Sequence, residues 1–266
     1  MIYLKTEEEI ELLRAANQLV SATLAEIAKI VKPGVTTLEL DALAEQFIRD
    51  HGAIPTFKGF PASFPDTDPF PASICASVNE VVVHGLPTAE PLKDGDIVSI
   101  DCGTFLNGFC GDSAYTFCVG EVSDEVKRLL RTTKESLYKG IEAALPNHRI
   151  GDIGAAVQSH CEAEGFGVVR EFVGHGIGRE MHEEPSIPNY GKRGTGKQLK
   201  NGLCIAIEPM ITLGSPDIGM HPDKWSILTR DRSMAAHFEH TIAIHNGKAD
   251  ILSSFDEIER VEGNLY

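Results

Sequence analysis

No two cysteines of this chain stand in C-x-x-C spacing. The six present, Cys75, Cys102, Cys110, Cys118, Cys161 and Cys204, are scattered along 266 residues. A chain of this length does not need disulfide staples, so they read as free thiols, several of them acting as small apolar core residues. Nor does any apolar run approach the roughly 18 residues that suggest a membrane span. The first residues, MIYLKTEEEIELL, are acidic and amphipathic. They lack the basic, apolar and small-residue regions of a signal peptide, which predicts a cytoplasmic protein with no membrane attachment. Positive charge is scarce as well. Lys and Arg number 24 against 39 Asp and Glu, a net charge of −15 that argues against nucleic-acid binding, sequence-specific or general. The cluster Lys192, Arg193, Lys197 and Lys200 is the exception; it offers either a local basic patch, and through it a ribosome contact, or a solvated loop.

What is present is an ordinary globular composition, 42% hydrophobic and 24% charged, with length for a substantial core. Thr6 and Glu9 form a capping box ahead of apolar residues at Ile10, Leu13, Ala16, Val20, Leu24, Ile27 and Val31. That spacing predicts a helix ended by Pro33-Gly34. A second helix is expected over 37–51, with Gly52 as its stop. Ser123 can cap a third helix that stops at Pro146, and a fourth is expected over 150–164 before Gly165. The stretches 33–52 and 146–165 are of equal length, each opening on proline and closing on glycine. This weak repeat predicts two similar halves, each a helix pair followed by strands, with a site between them drawing on both. The strand-like segments ICASVNEVVVHG, GDIVSIDCGTF, GFCGDSAYTFCVG, GLCIAIEPMI and FEHTIAIH are β-branched and mostly alternating. The loops PTFKGFPASFPDTDPFP and GSPDIGMHPDKW carry aromatics that want a surface to cover, so neither reads as a linker, and one domain over 1–266 is expected.

The segment GDIVSIDCGTFLNGFCGDSAYTF contains Asn107-Gly108, a strong hairpin signal. With those two residues as the loop, Leu106 faces Phe109 and Gly103 faces Asp112. Asp101 then lies diagonal to Asp112 on the same face, roughly 7–8 Å away at the backbone. A carboxylate in an apolar strand is costly to bury unless it is paired or bound to metal. The alternative is a pair of surface-facing aspartates beside a turn. Glu208, after LCIAI, and Glu239, in HFEHTIAIH, repeat the pattern, and His237, Glu239 and Thr241 share a face. His175 sits between two glycines in EFVGHGIGREMHEEP, where close backbone approach is allowed. Carboxylates with one imidazole form a hard, oxygen-rich set suited to Mn²⁺, Fe²⁺, Co²⁺ or Zn²⁺, and several bridging carboxylates suit two ions.

The ordered set Asp101, Asp112, His175, Glu208 and Glu239, within SVNEVVVHGLP, DIVSIDCGTFLNGFCGD, GHGIGREMHEEP, IEPM and EHTIAI, closely resembles the metal ligands of the methionine aminopeptidases. The resemblance runs from the first helix to about residue 246 and is to the type I, bacterial-style form. It implies the α/β pita-bread fold, with pseudo-two-fold halves and an antiparallel sheet flanked by helices. It implies removal of the initiator methionine from nascent polypeptides when the second residue is small. Hydrolysis would be assisted by two divalent ions (Co, Mn, Fe, Zn or Ni) in a monomeric enzyme. Asp112 and Glu239 would bridge both ions, Asp101 completing one shell and His175 and Glu208 the other. The glycines beside His175 would clear room for metal and substrate. Glu208 would shuttle a proton to the leaving amine, His182 would donate to the scissile carbonyl, and His84 would lie near the following amide. Phe60, Phe70, Cys75 and Trp225 align with the family's methionine pocket. Two departures stand out: Met181, expected to contact the substrate, replaces an aromatic of bacterial members, and the 61–69 loop is longer. The rival readings are an X-Pro peptidase of the same fold and a metal-free binding protein that kept it.

Overall fold

Residues 2–62, 66–263 and 266 are described by a computed structural model of the chain. Helix α1 (Glu7–Ala28) starts at the capping box of Thr6 and Glu9, with both reciprocal hydrogen bonds formed. Its expected apolar stripe, Ile10 to Ile27, is buried, each Ile, Leu or Val of it worth about 1.5–3 kcal/mol relative to exposure. The helix stops at Ala28, ahead of Pro33-Gly34. Helix α2 (Thr37–Asp50) is capped by Thr36 and Glu39 in the same way. Helices α3 (Asp124–Ala143), capped by Ser123, and α4 (Ile150–Ala163) form the second pair.

Strands from after each helix pair join one nine-stranded sheet in which every pairing is antiparallel, and the other described strands form two three-stranded sheets. The hairpin Ile97–Leu106 and Phe109–Cys118 has the expected register, Leu106 opposite Phe109 and Gly103 opposite Asp112. The strand Glu239–His245 then links the two sets of strands, pairing with Phe109–Cys118 on one side and Cys204–Ile207 on the other. Helix α1 lies on the hairpin: the Thr104 hydroxyl donates to the carbonyl of Ala16 (3.0 Å), and the Asp112 amide donates to Oδ1 of Asn17 (3.1 Å). The core centres on Tyr115, Phe117, Phe238 and the aliphatic side chains of α1 to α4. All six cysteines are free and buried, consistent with small apolar packing residues. Among the described residues no helix is long and apolar enough to cross a membrane.

Candidate metal centre

Five neighbouring strands each deliver one potential ligand. Asp101 and Asp112 stand on the hairpin and Glu239 at the start of the linking strand. Glu208 directly follows Cys204–Ile207, and His175 is the middle residue of Gly174–Gly176. These strands are consecutive in the sheet. Strand residues point alternately up and down, so ligands at the right register share one face. Single acids in otherwise apolar strands therefore become one cluster.

Ligand atoms of Asp112, His175 and Glu239 all lie within 4.8 Å of one another. The Nε2 of His175 is 3.5 Å from Oδ2 of Asp112 and 3.6 Å from Oε1 of Glu208. Its Nδ1 lies 2.9 Å from the carbonyl of Gly176, which sets that nitrogen as the protonated one and leaves Nε2 free to ligate. The backbone holds the acids firmly: the hydroxyl of Thr241 donates to the carbonyl of Asp112, and that of Ser113 to the carbonyl of Glu239.

The cluster is electrostatically unsatisfied. Oδ1 of Asp101, Oδ1 of Asp112 and Oε1 of Glu239 are buried without a hydrogen-bond partner. Burial pushes the carboxyls of Asp112 and Glu208 up to about 8. Burial, with the neighbouring acids, holds those of Asp101 and Glu239 well above the usual carboxylate range. Orphaned buried oxygens are rare in folded proteins and point to a missing partner. Four carboxylates and an imidazole have the chemistry of a divalent-cation site.

The cluster forms one wall of a cavity of about 640 Å³. His84, His182, Phe60, Phe70, Cys75 and Trp225 line the same cavity. The His182 ring meets that of His175 edge-on at 4.4 Å and that of Phe60 at 5.4 Å. Phe70 and Trp225 pack edge to face at 5.0 Å. His84 adopts φ +58° and meets Phe172 edge-on at 5.3 Å; burial lowers its pKa to about 4. Met181 is placed otherwise. It is buried behind the lining, in a core cluster with Ile10, Leu13 and Phe109, and is packed against Phe57. Of the longer 61–69 loop, residues 63–65 lie outside the described residues. Beyond them the Lys224 ammonium donates to the carbonyl of Asp66 (3.1 Å) and the Trp225 indole to that of Asp68 (3.2 Å), tying this loop to the cavity rim.

The glycines beside His175 are required by the sheet, and Gly174 also lines the cavity. A Cβ on Gly174 would strike the carbonyl of Ala206, and one on Gly176 the carbonyl of Glu184, both backbone atoms of neighbouring strands. His237 has no role in the sequence reading; it is buried, with Nε2 lacking a hydrogen bond and 3.8 Å from Oε2 of Glu208. The signal for it was the strand face it shares with Glu239. Phe172 was missed altogether, because a lone loop phenylalanine carries no pattern.

Comparison with known proteins places this arrangement in context. Residues 11–246 match the model of metallopeptidase family M24. The chain is 48% identical over 254 residues to a methionine aminopeptidase of Clostridium acetobutylicum, covering 95% of this chain and 99% of that one. The crystal structure of methionine aminopeptidase from Rickettsia prowazekii superposes with a TM-score of 0.92 at 44% identity, over 96% of this chain and 100% of that one. An Xaa-Pro dipeptidase from Bacillus anthracis shares the fold alone, with a TM-score of 0.71 at 24% identity over 94% of this chain and 62% of that one.

Proposed function

The chain belongs to metallopeptidase family M24, and on that premise we propose that it removes the N-terminal methionine from nascent polypeptides whose second residue is small. It has the pita-bread α/β fold of its relatives, and we read 1–266 as one metallopeptidase domain of the bacterial, type I form. The observation that carries the reading is the convergence of Asp112, His175 and Glu239, with orphaned carboxylate oxygens, on the wall of an aromatic-lined cavity.

The donor set fits divalent ions of the Mn, Fe, Co, Ni or Zn type. Asp101, Asp112, His175, Glu208 and Glu239 would hold two such ions, with Asp112 and Glu239 shared, Asp101 serving one and His175 and Glu208 the other. Such ions would supply Lewis acidity to the scissile carbonyl and acidify an attacking water.

The protein's own groups do the rest. Glu208 holds the proton taken from the water and passes it to the leaving amine. His182 donates a hydrogen bond to the carbonyl oxygen as charge develops there. His84, kept neutral by burial, faces the amide nitrogen of the next residue. Phe60, Phe70, Cys75 and Trp225 receive the methionine side chain and keep water from it, while Met181 supports the pocket from behind.

The substrates are protein N-termini, met by a monomer in the cytoplasm. Lys192, Arg193 and Lys200 are exposed, whereas Lys197 is engaged with Glu184 at 2.6 Å, so a ribosome contact would fall on the first three. Assay of Met-Ala-Ser against an X-Pro peptide, with and without metal, tests the reading. Metal-dependent release of methionine alone supports it. Preference for the X-Pro peptide points to the other peptidases of this fold, and no cleavage of either to a binding protein.

A further inference from the structure

His182 makes no side-chain hydrogen bond among the described residues; apart from its ring contacts with His175 and Phe60, its place is set by the chain on either side. On one side Glu183 opens the strand Glu183–Ile187. Its Oε1 accepts from the amide of Arg179 (3.0 Å), closing the turn that carries Met181 and His182. Its Oε2 meets the ammonium of Lys5 at 2.5 Å, and both side chains are nine-tenths buried, 5% and 8% exposed. Lys5 lies just ahead of α1, and its amide donates to the carbonyl of Gly202 (2.7 Å). The pair thus joins an anchored N-terminal segment to the turn. Gly178 makes room for it: a Cβ there would strike Oε1 of Glu183 and Cε of Lys5. The turn is held at its outer edge too, where Arg179 pairs with Glu9 of α1 (3.0 Å) and lies over the Phe109 ring.

We infer that Lys5 and Glu183 are positioning residues that fix His182 against the substrate carbonyl, an inference that rests on the reading of His182 above. A buried carboxylate stripped of its counter-charge seeks water or a proton. Either response moves the turn that Glu183 closes. Removing both charges is far better tolerated than removing one. The amide of a glutamine at 183 still accepts from the Arg179 N–H.

The test uses metal-loaded full-length protein, assayed with Met-Ala-Ser well below each variant's Tm, together with histidine ring NMR of the ion-free protein. Lys5→Met should lose kcat roughly tenfold or more, the scale of a sub-ångström misplacement, with KM and metal content retained and the His182 ring signals displaced. The Lys5→Met/Glu183→Gln double variant should recover most of that kcat. Lys5→Arg, which keeps the charge but sets a wider head against Gly178, should show a smaller kcat loss with Tm near normal. Wild-type kcat in Lys5→Met or Lys5→Arg, with only Tm lowered, overturns the inference. So does loss of metal from Lys5→Met. If the unaltered protein does not cleave Met-Ala-Ser, the functional reading fails and NMR decides the clamp: displaced His182 signals in Lys5→Met uphold it, unmoved signals refute it.

Discussion

Nε2 of His175 lies 3.5 Å from Oδ2 of Asp112, although their strands are separated in the sheet by two others. Three strand spacings in a flat sheet would put the backbones roughly 14 Å apart. The sheet therefore curls, and the side chains lean inward over the two intervening strands, which carry Glu208 and Glu239. A centre built this way has its ligands pinned by ladder hydrogen bonds, and removing one leaves the others in place.

Asp112→Ala should accordingly fold and lose both activity and tight metal binding. It removes an oxygen donor assigned to both ions. Full metal occupancy with normal turnover in this variant would remove Asp112 from the centre.

His182→Ala should keep its metal and lose kcat by roughly 10²–10³-fold, the range for one transition-state donor. A rise in KM at constant kcat would make His182 a binding residue instead.

The ion-free protein should lose stability as pH rises. Asp112 and Glu208 titrate near 8 when folded, and Asp101 and Glu239 are also raised, against roughly 4 in the unfolded chain. Between those values the folded state binds more protons, so its advantage is complete below about pH 4 and is lost as pH climbs toward 8. The urea midpoint of chelated protein should fall from pH 5 to pH 8, and divalent ions should restore it. A midpoint that rises with pH would mean that the acids are not buried together.

The hairpin was legible because Asn107-Gly108 dictates its own register, and that register alone puts Asp101 beside Asp112. Helix starts were legible from Thr6 and Ser123, whose caps are local chemistry. The order of strands was not, since nothing local says that the strand of His175 lies beside that of Glu208. The same holds for Lys5 and Glu183, which are far apart in sequence and look like surface charges until the fold buries them. Met181, judged by alignment alone, was expected to touch substrate; its neighbours Ile10 and Leu13 on α1 draw it into the core instead.

Specificity should follow from the cavity walls. Met-Ala, Met-Gly and Met-Ser peptides should be cleaved, and Met-Leu or Met-Lys scarcely. Norleucine should serve in place of methionine with a lower kcat/KM, since small changes in an apolar pocket shift discrimination by only about 10–200-fold. Equal cleavage of Met-Ala and Leu-Ala peptides would refute the assigned pocket of Phe70, Cys75 and Trp225.

The central claim is that these five side chains hold the metal on which removal of methionine depends. Titration of metal-stripped protein with Mn²⁺ or Co²⁺ tests it most directly, with bound ion and Met-Ala-Ser turnover measured in the same samples. Turnover should be absent without ion and rise with ion binding, and both responses should vanish in Asp112→Ala. Methionine release by the stripped protein, or ion-dependent turnover that survives in Asp112→Ala, would contradict the account.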